Sequence, residues 1–226
     1  MTCSVFIPCC TREEEKFPGL FYLSGLTCTD LNVCEKSGAF RYLAQHRIAM
    51  VCPDTSPRGA GVDGESTSGW DFGVGAGFYL DALVAPFSEN YRMYSYTTKE
   101  LPQVIGEHFP SIDLSRLGIF GHSMGGHGAL SIALKNPTLF RSVSAFAPIC
   151  EPCECAWGVK AFSGYLGADD RTATGAGTWA QYDSVQLMKA MAAASPEGEG
   201  GQEQPFPFDD ILIDVGTSDS FYIAGQ

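Results

Sequence analysis

Short apolar runs, each closed by glycine, proline or a polar cluster, set the rhythm of this chain. Residues 20–23, 48–52, 117–120, 142–147 and 211–215 are continuous enough to read as strands buried on both faces, the habit of a parallel sheet. Residues 4–8 alternate and read as one more strand entering that sheet. Between the runs the period changes to a helical one: residues 36–46, from about 97 to 108, after 123 with Leu130, Ala133 and Leu134 on one face, and 185–194. Asn136-Pro137 stops the third of these helices. Residues 11–16 read as a charged turn, 61–69 as a flexible polar excursion, the stretch from Pro148 through Trp157 to Tyr165 as a long excursion, and 197–204 as a mobile glycine-rich loop. With strands alternating with helices, no internal repeat and no domain boundary, the pattern predicts one α/β domain over residues 1–226. Its sheet is mostly parallel and doubly wound.

Charge and cysteine content narrow the class. The formal net charge of −12 disfavours nucleic acid and anionic membrane surfaces as partners, and ordinary solubility accounts for it. No apolar run approaches the ~18–20 residues of a membrane span, and Met1-Thr2-Cys3 opens no secretory leader. Nine cysteines, an odd number, fit free thiols in a reducing cytosol better than a disulfide framework. Cys9-Cys10 and the Cys150, Cys153, Cys155 group lack the paired spacing of a zinc site, so no metal and no cofactor is expected.

The chemistry concentrates at Gly121-His122-Ser123-Met124-Gly125. A G-x-S-x-G between a strand and a helix is the turn that lifts a serine hydroxyl to the top of a sheet, with flanking glycines where side chains would collide. The alternative is a glycine-rich connection with an incidental serine. In that arrangement one oxyanion N–H belongs to the residue after the nucleophile, Met124, and another to the loop after an earlier strand, with Leu26 in position. Asp219 stands where a triad acid would follow in chain order, although an aspartate in Gly216-Thr217-Ser218-Asp219 is equally an Asx-turn former. Asp214, inside its strand, reads as structural.

Longer stretches carry a resemblance. Ser-Gly-Leu-Thr-Cys-Thr at 24–29, Pro-Asp-Thr-Ser-Pro-Arg-Gly at 53–59, Trp-Asp-Phe-Gly at 70–73, Gly-Ala-Gly-Phe-Tyr at 75–79, Tyr-Arg-Met-Tyr-Ser-Tyr at 91–96, Gly-His-Ser-Met-Gly-Gly-His-Gly-Ala-Leu at 121–130 and Ala-Phe-Ser-Gly-Tyr-Leu-Gly at 161–167 resemble the S-formylglutathione hydrolase (esterase D) family over nearly the whole chain. The resemblance implies an α/β-hydrolase fold and a cytosolic, cofactor-free serine hydrolase releasing formate and glutathione from S-formylglutathione. A broad carboxylesterase, an acyltransferase or an inactive product are the alternatives. It further implies Ser123 as nucleophile, Asp219 as triad acid, and Leu26 and Met124 as oxyanion donors. Cys28 becomes a thiol near the site, its other reading being a small buried hydrophobe, and Trp70 and Trp157 become pocket walls. Association as a homodimer stays open. By the same resemblance the chain lacks the family's first strands and its last strand and helix, and with them the catalytic histidine. Extra residues are expected around 171–178 and 196–207. His46, His108, His122 and His127 all precede Asp219, and the helix carrying His127 is expected to run away beneath the sheet edge.

Overall fold

The computed structural model describes residues 1–10, 12, 14–168, 179–194 and 206–223. Six strands form one sheet in the order β1-β3-β2-β4-β5-β6. They are β1 (Cys3–Phe6), β2 (Phe17–Leu23), β3 (Ala49–Pro53), β4 (Ile112–His122), β5 (Ser142–Phe146) and β6 (Ile211–Asp214). β1 runs antiparallel to β3, and every other pairing is parallel.

Period-2 alternation sorts the strand side chains into two cores. Phe21, Leu23, Val51 and Ile119 face the larger one, under α5 (Met124–Lys135). Leu20, Tyr22, Met50, Cys52 and Phe120 face the smaller one, under α1 (Leu31–Lys36) and α2 (Phe40–His46). Helices therefore cover both faces, which is why the central strands carry no polar side.

Several expectations need correction. The run at 211–215 is not buried on both faces: β6 is the edge strand, with Leu212 and Ile213 about half exposed. The helix foreseen over 36–46 is two helices, because Gly38, at φ +63°, ends α1 and the chain restarts at α2. The excursion after Pro148 contains α6 (Ala156–Leu166), whose buried residues Gly158, Ala161, Phe162, Tyr165 and Leu166 form a complete helical stripe. The excursion at 61–69 is not loose: Glu65, 8% exposed, accepts from the Gly61 N–H (3.1 Å) and the Tyr91 hydroxyl (2.8 Å), and its carbonyl accepts from the Val74 N–H (2.9 Å).

The helix foreseen from about Thr97 starts earlier, as α3 (Met93–Ser95), a π-helical turn (Tyr96–Glu100) and α4 (Leu101–His108). A 3₁₀ turn (Trp179–Tyr182) leads into α7 (Ser184–Ala194), and α8 (Ser220–Ile223) follows β6. The loop at 197–204 and the insertion at 171–178 lie outside the described residues, as does most of the charged turn's start.

The strand order places a topological switch between β2 and β4. From β2 the chain crosses to β3 on one side, and from β4 to β5 on the other. Their following segments diverge, leaving a crevice at the carboxyl ends of these two strands, where ligands bind in open α/β sheets.

Candidate active site

β4 ends at His122 and α5 begins at Met124, so Ser123 makes the whole turn, with φ 57° and ψ −120°. A side chain in that region costs on the order of 1–3 kcal/mol and persists only where its surroundings over-determine it. Here they do. The Ser123 N–H donates to Phe146 O (2.9 Å), and the Ser123 carbonyl accepts from the His127 N–H (3.0 Å). A Cβ on Gly121 would fall 2.1 Å from Gly125 O, and one on Gly125 1.9 Å from Leu23 O, so the turn closes only with glycine at both places.

The parallel register sets Leu23 opposite Gly121 and thereby lays the loop after β2 beside Ser123. That loop is pinned downstream. Thr27 N–H donates to Gly75 O (2.8 Å), while Cys28 O accepts from the Thr55 hydroxyl (2.5 Å) and from an Arg58 amino group (2.8 Å). The N–H groups of Leu26 and Met124 donate to nothing among the described residues. Met124 sits at the N-terminus of a twelve-residue helix, where the dipole favours negative charge. Its side chain is fully buried, so it offers the site only its backbone.

Ser123, Leu26, Cys28, Trp70 and Trp157 line one cavity of about 290 Å³. His122 and Phe221 line it as well, and sequence reasoning named neither as a wall. The Phe221 ring meets Trp157 edge-on, with centroids 5.7 Å apart. Burial pushes the Cys28 thiol up, partly offset by the positive charges of Lys36 and Arg58.

Asp219 is not among the cavity's lining residues. Its Oδ1 accepts from the N–H groups of Phe221 (2.8 Å) and Tyr222 (3.4 Å), capping α8. Among the described residues no donor reaches its Oδ2.

His127 does not run out beneath the sheet edge. It is fully buried one turn after Ser123, its ring between Phe78 and Phe162 at 6.1 Å from each. A carbonyl only accepts, so His127 Nε2, 3.0 Å from Phe78 O, carries the ring proton. Nδ1 is buried without a partner, and burial lowers the imidazole pKa to about 4.

All nine cysteines are free thiols, and among the described residues no group of three acidic, histidine or cysteine side chains is arranged to hold a metal ion. No helix among them is long and apolar enough to cross a membrane.

Comparison with known proteins adds the family. Residues 1–223 match the esterase family model described as "Putative esterase". The chain is 50% identical to the S-formylglutathione hydrolase of Mus musculus over 226 residues, which is all of this chain and 72% of that protein. It is 47% identical to that of Paracoccus denitrificans over 98% of this chain and 71% of that protein. The solved structure of an S-formylglutathione hydrolase from Agrobacterium tumefaciens superposes with a TM-score of 0.82 at 48% identity, over 97% of this chain and 71% of that one. A serine hydrolase of Staphylococcus aureus, FphF, shares the fold, with a TM-score of 0.68 at 18% identity. The chain thus belongs to the S-formylglutathione hydrolase family of esterases, built on the α/β-hydrolase fold.

Proposed function

We propose that this chain cleaves S-formylglutathione to formate and glutathione, with Ser123 as the nucleophile. One observation carries the reading: a serine in a strained turn shares a cavity with Leu26, whose N–H is unengaged, and the equally unengaged N–H of Met124 follows that serine directly at the start of α5. The Ser123 hydroxyl attacks the formyl carbon, and the two amides take the charge that grows on its oxygen. The C–S bond then breaks and glutathione leaves. A thiolate with a pKa of about 8.5 departs without a delivered proton, which an alkoxide does not. Water releases formate from the formyl-serine.

The Ser123 proton needs a base. Asp219, with Oδ2 unengaged, is proposed to steer an imidazole there. His127 is committed to Phe78, and among the described histidines only His122 lines the cavity. Nine free thiols support a reducing cytosolic setting, and a homodimer remains compatible with the reading.

A second reading, a general carboxylesterase, is favoured by the two tryptophans on the cavity wall, which suit aryl esters. Side-by-side kcat/KM values for S-formylglutathione, 4-nitrophenyl acetate and a long-chain ester decide between them. A clear preference for the thioester upholds the first reading, and a preference for either ester overturns it.

A further inference from the structure

We propose that Tyr79 is a positioning residue for this reaction: by holding the Ser24 carbonyl, its hydroxyl fixes the Leu26 N–H where the oxyanion develops. The inference rests on the roles given above to Ser123 and the two amides.

Tyr79 is fully buried, and its hydroxyl donates to Ser24 O at 2.8 Å across 55 residues of sequence. Ser24 is itself 1% exposed, and no other donor among the described residues reaches that carbonyl. The restraints on Thr27 and Cys28 from outside the loop act downstream of Leu26. Upstream of it the loop bonds to itself, Cys28 N–H to Gly25 O (3.3 Å) and the Ser24 hydroxyl to Thr29 O (3.4 Å), and the Tyr79 bond is what ties that turn to the rest of the fold.

What holds Tyr79 is α5. Phe78 and Tyr79 both sit in the left-handed region, at φ +49° and +51°, a costly pairing for two bulky residues. His127 Nε2–H grips the Phe78 carbonyl at 3.0 Å. The Tyr79 ring lies flat enough on Gly128 that a Cβ there would come within 2.5 Å of it. The two proposed oxyanion donors are thus referenced to one helix, Met124 directly and Leu26 through Tyr79.

Without the hydroxyl, the Ser24 carbonyl is left buried and unpaired, and the Ser24–Gly25 peptide gains freedom to turn. Full charge reaches the carbonyl oxygen only in the transition state, so misplacing a donor lowers kcat and leaves KM nearly unchanged. Deleting an oxyanion donor costs about 10²–10³ in kcat, and displacing one costs less, roughly tenfold.

The test uses Tyr79→Phe, which keeps the ring, in the 226-residue chain. An oxyanion hole continues to contribute when a triad base is absent, so the kcat ratio for 4-nitrophenyl acetate reads the donor whatever base serves. Expected are a kcat about tenfold lower, KM within twofold, and faster amide hydrogen exchange over residues 24–28 by mass spectrometry. Tyr94→Phe, which removes a hydroxyl bonded to Asn136 at the far end of α5, leaves both unchanged. His127→Leu, freeing the same turn from the other side, reproduces the kcat loss and decides the matter should Tyr79→Phe not fold. An unchanged kcat in Tyr79→Phe, or an equal loss in Tyr94→Phe, overturns the proposal. A Ser123→Ala chain as active as the parent overturns the nucleophile reading instead. Exchange over 24–28 then decides for Tyr79 alone, and unchanged exchange overturns it.

Discussion

Gly25 and Ser123 come from loops almost a hundred residues apart in sequence, yet a Cβ on Gly25 would stand 3.3 Å from the Cβ of Ser123 and 3.2 Å from His122 O. Gly25→Ala therefore sets a methyl group over the proposed nucleophile while the neighbours yield by only a few tenths of an ångström. We expect kcat/KM for formyl substrates to fall roughly tenfold, about 1.4 kcal/mol. Acetyl substrates are expected to lose more, since the larger acyl group competes for the same space. Equal losses for both show that the acyl group lies elsewhere.

Replacing the serine itself separates chemistry from strain. Ser123→Ala is expected to abolish turnover while shifting the unfolding free energy by less than about 1 kcal/mol, because the hydroxyl adds little packing. Ser123→Gly is equally inactive but more stable by about 1 kcal/mol, as φ 57° suits glycine. Urea unfolding of the three chains checks the order, and a glycine variant less stable than the alanine one contradicts it.

Cys28 lines the cavity with Ser123, so a bulky adduct on it closes the site. Burial keeps its thiol protonated at neutral pH, so alkylation should be slow at pH 7 and accelerate towards alkaline pH. Cys28→Ser should keep most turnover and lose the sensitivity to alkylation. Inhibition that persists in Cys28→Ser assigns the effect to another thiol.

A serine without its base is a poor nucleophile, and removing the base of a well-studied serine protease lowers kcat on the order of 10⁶-fold. His127 is tied to Phe78 O, and no histidine among the described residues is hydrogen-bonded to the Ser123 hydroxyl, so the polypeptide of residues 1–226 is expected to turn over far below the usual range of about 1–10³ s⁻¹. Added free imidazole should raise the rate in proportion to its concentration, and His122→Ala should change it little. A rate in the ordinary range that His122→Ala abolishes would make His122 the base.

His127 couples the fold to acidity. Its folded pKa of about 4 lies below the ordinary 6.5, so the unfolded chain binds the extra proton between those values. Its contribution to stability is complete above pH 6.5 and is lost as pH falls towards 4, by about 3 kcal/mol in all at 1.36 kcal/mol per unit. Urea midpoints measured at pH 7 and pH 5 should therefore converge in His127→Leu relative to the parent. An unaltered pH slope in that variant rules His127 out.

How far the sequence could be read depended on where each signal lay. β3 and the second half of β4 announce themselves as apolar runs, whereas the first half of β4, with Asp113, Ser115 and Arg116, does not; the Ser123 turn is legible because its glycines fall between a strand and a helix. α6 hid because Gly158 and Gly164 lower its helical propensity, and its buried stripe appears only when Gly158 is counted as a packing surface. Leu26, Cys28, Trp70 and Trp157 line a cavity with Ser123, but Phe221 and His122 joined them through loop geometry no local pattern encodes. Tyr79 is the extreme case: its bond to Ser24 spans 55 residues, and nothing near it in sequence points to Ser24. For Asp219 the Asx-turn reading matches the cap it makes on α8, and the direction of its second oxygen carries no sequence signature.

The pairing of β2 with β4 also dictates when the site comes into being as the chain folds. Leu23 and Gly121 must meet before the 24–28 loop can stand beside Ser123, and closing so long an intervening loop is a slow, late event for a parallel pair. Either hairpin-sized half, however well formed, holds only one of the two amides. Chemical competence at Ser123 is therefore a clock for the centre of the sheet: its recovery during refolding times the joining of β2 to β4, and no helix-sensitive signal can stand in for it.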